Sequence, residues 1–503
     1  INGSKLLNRN TGAITIGTQG IGMVAFASAA NGLQTYGTDA LIASASLTPA
    51  YKLLEIENNG IITVNGDRSI GLYGETNDTS SSGLITASNG LIINNGKLIL
   101  TGEDAVGIVS KKNLVSLSGT GSSDITVGVN GIGVYAEDSA VNLLSAYGVE
   151  VKDNGTGIFI KDGSTLSAGT LEIKYTGSNT GTGLGIFYDN ASGGNKINAT
   201  NVNLVDGIGT TGGIVGLFIV GNGGTLTNTG AILGDKGYGI ITNGSAIINN
   251  NIITLNNPVD GTSVPAKASV GIYTQANDGI TNNSIITVGN KSVGIYGMAV
   301  DNNGTISTGN GGTGIYSAGG NVNLTAGSTI NVSGDKAVAV YANGNGQTIN
   351  ANNGAMLTIG DTSFGFINEG TGNTVLSNIA SQNLSNDSVY IFSSDVTGTV
   401  VNNTTLNSLG SYNYGIYSAG SATNNANINF GTGLGNVGVY STHGGTITNS
   451  AVITVGGSYI DPSGNTDNNR YSVGMAAGFT PDAAEIAAGK TPYSGNVVNN
   501  GTI

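Results

Sequence analysis

A four-residue unit, apolar–Gly–aliphatic–aromatic, recurs along nearly the whole chain, and this repetition constrains the fold more than any other feature. It reads Ile70-Gly71-Leu72-Tyr73, Ile132-Gly133-Val134-Tyr135, Val293-Gly294-Ile295-Tyr296 and Val437-Gly438-Val439-Tyr440, with variants such as Val338-Ala339-Val340-Tyr341 and Val389-Tyr390-Ile391-Phe392. Successive copies lie about 27 residues apart on average, with spacings from 20 to 36. A second unit precedes many copies: one or two Asn, a small residue, then an alternating aliphatic pair, as in Asn58-Asn59-Gly60-Ile61-Ile62-Thr63-Val64 and Asn282-Asn283-Ser284-Ile285-Ile286-Thr287-Val288. Each repeat therefore reads as strand, tight turn, strand and variable loop, often with a third short strand such as Thr446-Ile447-Thr448-Asn449.

The apolar period is 2, which is strand chemistry. Ile286 and Val288, then Val293 and Ile295, are expected on one face, with Thr287 and Gly294 on the other. One strand pair cannot bury a face alone, whereas stacking repeats aligns equivalent aliphatic positions and pairs each backbone with its neighbours. The expected fold is all-β: a right-handed parallel β-helix, a solenoid with a few inserted loops, forming one rod segment over 1–503 on the order of 90 Å long. Asn at equivalent turn positions should form side-chain amide ladders. Gly should supply positive φ at the corners, and the aromatic of each unit should stack outward along one edge.

Composition narrows the chemistry. The chain of 503 residues has 85 Gly, no Cys, no Trp and one His. Disulfide scaffolds, zinc-thiolate sites and redox CxxC chemistry are excluded. A net charge of −13 with arginine only at Arg9, Arg68 and Arg470 argues against a nucleic-acid partner. No apolar run has the length of a membrane-spanning helix, so membrane insertion by this segment is not expected. Both ends read as cuts through a longer repeat array.

Proline marks the departures from the pattern because it cannot donate to a strand ladder. Pro49 falls in an insertion at about 41–57, Pro258 and Pro265 bracket 257–268, and Pro462, Pro481 and Pro492 lie in the largest insertion, 456–496. In that last segment Thr480 to Gly489 reads as a short helix with Thr480 as N-cap and Pro481 at the first helical position. Tyr459, Asp461, Asp467, Arg470 and Tyr471 concentrate charge and aromatic surface there, and form the candidate partner-binding loop.

No catalytic, cofactor-binding or metal-binding residues emerge. His443, in the turn Ser441-Thr442-His443-Gly444-Gly445, reads as a solvated turn residue. No G-x-S-x-G elbow, EF-hand or calcium nonapeptide occurs. Gly309 to Gly314 leads into a strand and is turn glycine, not a phosphate loop. The nearest carboxylate pairs, Glu55/Glu57 and Glu103/Asp104, mark no cleft, so the chain is read as non-enzymatic; a carbohydrate-active β-helix enzyme is the alternative from another class.

Repeats of the type Asn302-Asn303-Gly304-Thr305-Ile306, together with Ser292-Val293-Gly294-Ile295-Tyr296, resemble the passenger region of the very large type Va autotransporter adhesins of fusobacteria, the RadD-like and galactose- and TIGIT-binding class. The resemblance covers nearly the whole chain at the level of the repeat. It implies type V secretion, display on the bacterial cell surface, and an outer-membrane β-barrel translocator C-terminal to this fragment. It also implies adhesion to host-cell receptors, such as the immune receptor TIGIT, to glycans or to other bacteria. Absence of Cys fits a chain that crosses the oxidising periplasm unfolded. The expectation is thus an extracellular adhesin segment without cofactor, binding through loops on a β-helical rod; a pure stalk with recognition elsewhere is the remaining alternative.

Overall fold

A computed structural model describes residues 4–28, 54–77, 90–161, 163–167, 169–178, 181–190, 197–198, 201–206, 213–234, 237–256, 268–274 and 278–503. The chain is all-β, and among the described residues the only α-helix is Ala483–Ala487. Two compact units are present, Ile1–Ile253 and Thr254–Ile503. Of the expected insertions, 41–53 and 257–267 lie outside the described residues.

In the first unit the repeats up to Asp206 contribute three short strands each, whereas Gly213–Asn228 and Tyr238–Asn249 run on as single long strands; the strands pair in parallel with their counterparts in the next repeat. The first ladder begins Ser4–Asn8, Leu54–Asn58, Leu91–Asn94 and Leu114–Leu117. Leu54–Asn58 is thus a ladder strand, and the insertion expected over 41–57 stops short of it. The second ladder begins Ala13–Ile16, Ile61–Val64 and Lys97–Leu100. The third carries the Gly-aliphatic-aromatic unit, beginning Ile21–Ser28, Ile70–Asn77, Val106–Lys111 and Ile132–Glu137.

The second unit repeats the scheme. Its third ladder begins Val270–Thr274, Val293–Gly297, Thr313–Ser317 and Val338–Asn343. Its first ladder begins Gly279–Asn282, Ala299–Asn302 and Val322–Leu324, and its second Ile285–Val288, Thr305–Thr308, Thr329–Val332 and Met356–Ile359. The second ladder then breaks: Ser381–Leu384 starts a separate four-stranded sheet, while the first and third ladders continue past the same point. Gln382 occupies the inward position there that Leu406 and Ile428 fill in the following repeats.

The core is a set of one-residue-wide apolar columns. Ile272, Ile295, Ile315 and Val340 are in register and fully buried, as are Leu72, Ile108, Val134 and Ile158 in the first unit. Each such side chain contributes about 1.5–3 kcal/mol of burial. The aromatic column also forms: the rings of Phe159 and Phe187 stack at 4.6 Å, and those of Tyr296 and Tyr316 at 4.8 Å, half-buried on the outside.

Two expectations need correction. Gly294 does not face outward; it is buried, Val293 is only half-buried, and the alternation slips by one at the glycine. A Cβ on Gly294 would lie 2.6 Å from the Gly314 carbonyl and 2.4 Å from Ile306 Cγ2, so this glycine serves close approach of the next backbone to an inward corner. Glycine does supply positive φ at other corners, as at Gly327 and Gly354, and the departure is concentrated in the turn before the third ladder. Its left-handed residue is seldom glycine: Arg68, Asp104, Lys291, Lys336, Thr362, Asp387 and Tyr412 all have φ between 51° and 64°. Each such residue donates its N–H to a carbonyl of the next repeat, for example Lys291 to Asn310 at 2.8 Å and Thr362 to Asn386 at 2.8 Å. That bond offsets the left-handed strain of about 1–2 kcal/mol.

The asparagine ladders exist, but the inner ones close strands instead of sitting in turns. Asn58 is the last residue of its strand and fully buried. Its amide donates to Asn94 Oδ1 at 2.8 Å, and its Oδ1 accepts from Asn8 at 2.8 Å and from the Gly60 N–H at 3.2 Å. Asn402, Asn424, Asn449 and Asn499 continue the device with three links of 2.8 Å. A parallel outer ladder is exposed, as in Asn425 to Asn403 at 2.9 Å.

Candidate functional site

The segment 456–496 is two elaborations, because Val473–Phe479 inside it is a third-ladder strand in register with Val437–Ser441. The first elaboration, 458–472, replaces the left-handed turn between second and third ladders. The second, 480–495, replaces the corner between the third ladder and Asn496–Asn499, which pairs with Thr446–Asn449.

The first elaboration is a hairpin that places all five predicted loop residues together. Tyr459 and Arg470 form an antiparallel bridge through two backbone hydrogen bonds of 2.9 Å. Asp461 organises the tip: its carboxylate accepts from the Ser463 N–H at 2.9 Å and from Asn468 Nδ2 at 2.7 Å. The Asn468 amide, then the Ser463 N–H, hold the Asp461 carboxyl below its ordinary range. Asp467 lies in a 3-10 turn, Thr466–Asn468, capped by the Asn465 side chain. Arg470 spends its guanidinium on the hairpin's own carbonyls, Asp467 at 3.1 Å and Asn469 at 3.0 Å. Tyr459 packs edge-on against Tyr412 at 6.2 Å, which seats the hairpin on the preceding repeat. Tyr471 is exposed, its hydroxyl accepting from Asn469 at 3.2 Å.

The second elaboration carries the helix Ala483–Ala487. Its cap is Asp482, not Thr480: Asp482 accepts from the Glu485 N–H at 2.8 Å and Glu485 returns the bond to the Asp482 N–H at 3.1 Å. A capping box outcompetes a lone hydroxyl two residues earlier, and Pro481 between them is buried. Lys490 pairs with Glu485 at 2.8 Å and lies 5.7 Å from the Phe479 ring centre. Tyr493 returns antiparallel to Phe479 and packs on His443 at 4.6 Å. His443 is an exposed turn residue whose Nδ1 contacts Thr442 Oγ1 at 2.6 Å.

Residue-type reasoning missed the apolar members of these loops. Ile460 and Ile486 are as exposed as Tyr471; isolated aliphatics inside Ser-, Asn- and Asp-rich loops were the available signal. The carboxylates of these pairs take other partners instead of each other: Lys5 bridges Glu55, at 2.9 Å, and Glu57, Arg68 lies 3.7 Å from Asp104, and Glu103 accepts from the Asn130 amide at 3.0 Å. Among the described residues no group of three or more His, Asp or Glu is disposed to hold a metal ion. The sequence matches no protein-family model and no curated protein.

Proposed function

We propose that the chain winds as a right-handed parallel β-helix and serves as a non-enzymatic, surface-displayed adhesin segment that meets its partners through the two elaborations of one repeat. Right-handed winding follows the strong general preference of parallel crossover connections. Strands of successive repeats in parallel register with their counterparts support the solenoid reading.

The observation that carries the adhesin reading is the contrast within one repeat. Among the described residues the other turns are shorter and many of their polar groups bond to the next repeat, whereas 458–472 and 480–495 are loops preorganised by their own hydrogen bonds that hold Ile460, Tyr471, Ile486 and Tyr493 exposed. Exposed aromatic and aliphatic side chains on rigid turns are what recognition surfaces present. The partners proposed are host-cell receptors or glycans and the surfaces of other bacteria, reached from the outside of the cell that displays the chain.

Replacing 458–472 by the short turn Asn-Lys-Ser of an ordinary repeat, and separately shortening 480–495, tests the assignment. Binding of the purified protein to host cells, a receptor panel and a glycan array should fall with one or both changes. Binding that survives both would move recognition to the ladders, and absence of binding by the intact protein would leave the stalk reading.

A further inference from the structure

Four tyrosines of successive repeats form one column in the second unit. The ring centres of Tyr273 and Tyr296 lie 4.9 Å apart, those of Tyr296 and Tyr316 4.8 Å, and those of Tyr316 and Tyr341 4.9 Å. Interplanar angles of 21°, 5° and 9° make the stack nearly parallel. The strands fix this arrangement, since Tyr273, Tyr296, Tyr316 and Tyr341 are register partners in one ladder. All four rings are half-buried, so small solutes reach their edges. The next register position is Ile367, which cannot be oxidised and ends the column.

Proton acceptance is built into one end. Tyr341 donates its hydroxyl proton to Glu369 Oε2, and Tyr316 accepts at its hydroxyl from Asn343 Nδ2 at 3.1 Å. One-electron oxidation of a phenol requires loss of its proton, and a carboxylate already bonded to that proton takes it without rearrangement. Burial and then Glu369 push the Tyr341 hydroxyl above the ordinary tyrosine range, so the neutral phenol is the form to be oxidised.

We infer that this column is an oxidative modification site, at which hydrogen peroxide acting through a haem peroxidase couples tyrosines of adjacent repeats into dityrosine. Each of two phenols loses one electron and its hydroxyl proton. The two radicals join through their ortho carbons, forming one C–C bond, and the ring hydrogens return to the oxygens as the rings regain aromaticity. The two electrons and two protons released reduce one hydrogen peroxide to two waters. Proximity favours neighbours in the stack, because adjacent rings are held in contact without any loss of further translational freedom. The product is a covalent bond across the repeats, which removes freedom from the unfolded chain in the manner of a disulfide.

The test is treatment of dilute monomer with horseradish peroxidase and hydrogen peroxide, followed by dityrosine fluorescence and peptide mapping. The expected result is intramolecular linkage of Tyr273 to Tyr296, Tyr296 to Tyr316 or Tyr316 to Tyr341, and a raised unfolding midpoint of the linked protein. Linkage confined to exposed Tyr471 and Tyr493, linkage only between molecules, or none at all overturns the assignment. The double variant Tyr296→Phe/Tyr341→Phe keeps the ring stack and leaves no two column tyrosines adjacent; it should lose the mapped linkages, and undiminished yield overturns the proposal. Glu369→Gln should slow formation of the Tyr316 to Tyr341 linkage, and an unchanged rate removes Glu369 from the mechanism.

Discussion

Asn94 donates its side-chain amide to the hydroxyl of Tyr147 at 2.6 Å, at the place where the buried asparagine column of the first ladder gives way to Leu117. The phenol stands in for the missing asparagine. Tyr390 does the same work in the second unit, where its hydroxyl meets Ser377 Oγ at 2.6 Å and Thr404 Oγ1 at 3.2 Å just before the Asn402 column begins. Both tyrosines are fully buried. A hydrogen-bonded column inside an apolar core cannot simply stop, because its last donor would be left in a low-dielectric interior.

Tyr147→Phe should therefore cost about 1–3 kcal/mol, the price of stranding one amide hydrogen of Asn94 while the other keeps its bond to the Gly96 carbonyl at 3.0 Å. Stacked repeats open locally, so the loss should appear as faster amide exchange in Leu91–Asn94 and Ala146–Val151 with little change in Val437–Ser441. Uniform acceleration along the chain would contradict this account.

Asn424→Leu strands one amide hydrogen of Asn402 and the Ala426 carbonyl that Asn424 serves at 2.8 Å, and leaves Asn449 Oδ1 with only the Ala451 N–H at 3.3 Å. At about 1–3 kcal/mol for each stranded group the substitution should be severe, even though leucine fits a buried site. Asn425→Ala removes an exposed amide bond one residue away and should change stability by no more than about 0.5 kcal/mol. Denaturant midpoints of the pair measure the contrast between inner and outer ladder.

Much of this was legible because ladder residues announce themselves by spacing. The Ile295 and Tyr296 columns follow from alternation alone. Strands such as Ser381–Leu384 and Ser421–Asn424 were harder, since four residues with a single apolar member carry almost no period. The inward setting of Asn58 and Gly294 was hidden for a different reason: what decides it is the backbone of the neighbouring repeat, about 36 and 20 residues distant for these two. The hairpin at 458–472 was visible as a charged, proline-marked break. Its internal pairing of Tyr459 with Arg470 was not, because local side-chain to backbone bonds from Asp461 and Asn469 shape it and these leave no periodic trace.

Thr362 is β-branched and yet left-handed, with φ at 51°. Thr362→Asn should stabilise the protein by about 1 kcal/mol, since asparagine adopts this conformation at lower cost. The Thr362 hydroxyl accepts weakly from the Lys336 N–H at 3.2 Å, and a short amide side chain retains an acceptor there. Thr362→Val, which keeps the branch and loses the acceptor, should do the reverse. A shift of the urea midpoint in opposite directions for the two variants is the expected result.

Asp461→Ala should loosen the hairpin without touching the core, because its carboxylate bonds only to Ser463 and Asn468 of the same loop. Limited proteolysis should cut between Asp461 and Arg470 sooner than in the parent, with the far-ultraviolet circular dichroism unchanged. If partner binding resides in this hairpin, the same variant should weaken it by raising the ordering cost of the loop.

Alkaline pH should unfold this protein earlier than its side-chain inventory suggests. Nine tyrosines of the described residues, Tyr73, Tyr135, Tyr147, Tyr175, Tyr296, Tyr341, Tyr390, Tyr417 and Tyr440, have hydroxyls pushed above the ordinary value of 10.0, in every case chiefly by burial. Tyr73, also bonded to Glu75, and Tyr390 reach about 12. A tyrosine raised in the folded state keeps its proton there while the unfolded chain has already lost it. Native protein then binds more protons than unfolded protein, and stability falls as pH rises. The contribution is complete below pH 10 and is lost progressively towards pH 12 and beyond, each tyrosine adding to the slope. Urea midpoints measured from pH 9 upward should therefore decline steeply, with phenolate absorbance appearing together with unfolding. Tyr73→Phe and Tyr390→Phe should each flatten the decline, and a midpoint independent of pH across this window would refute the linkage.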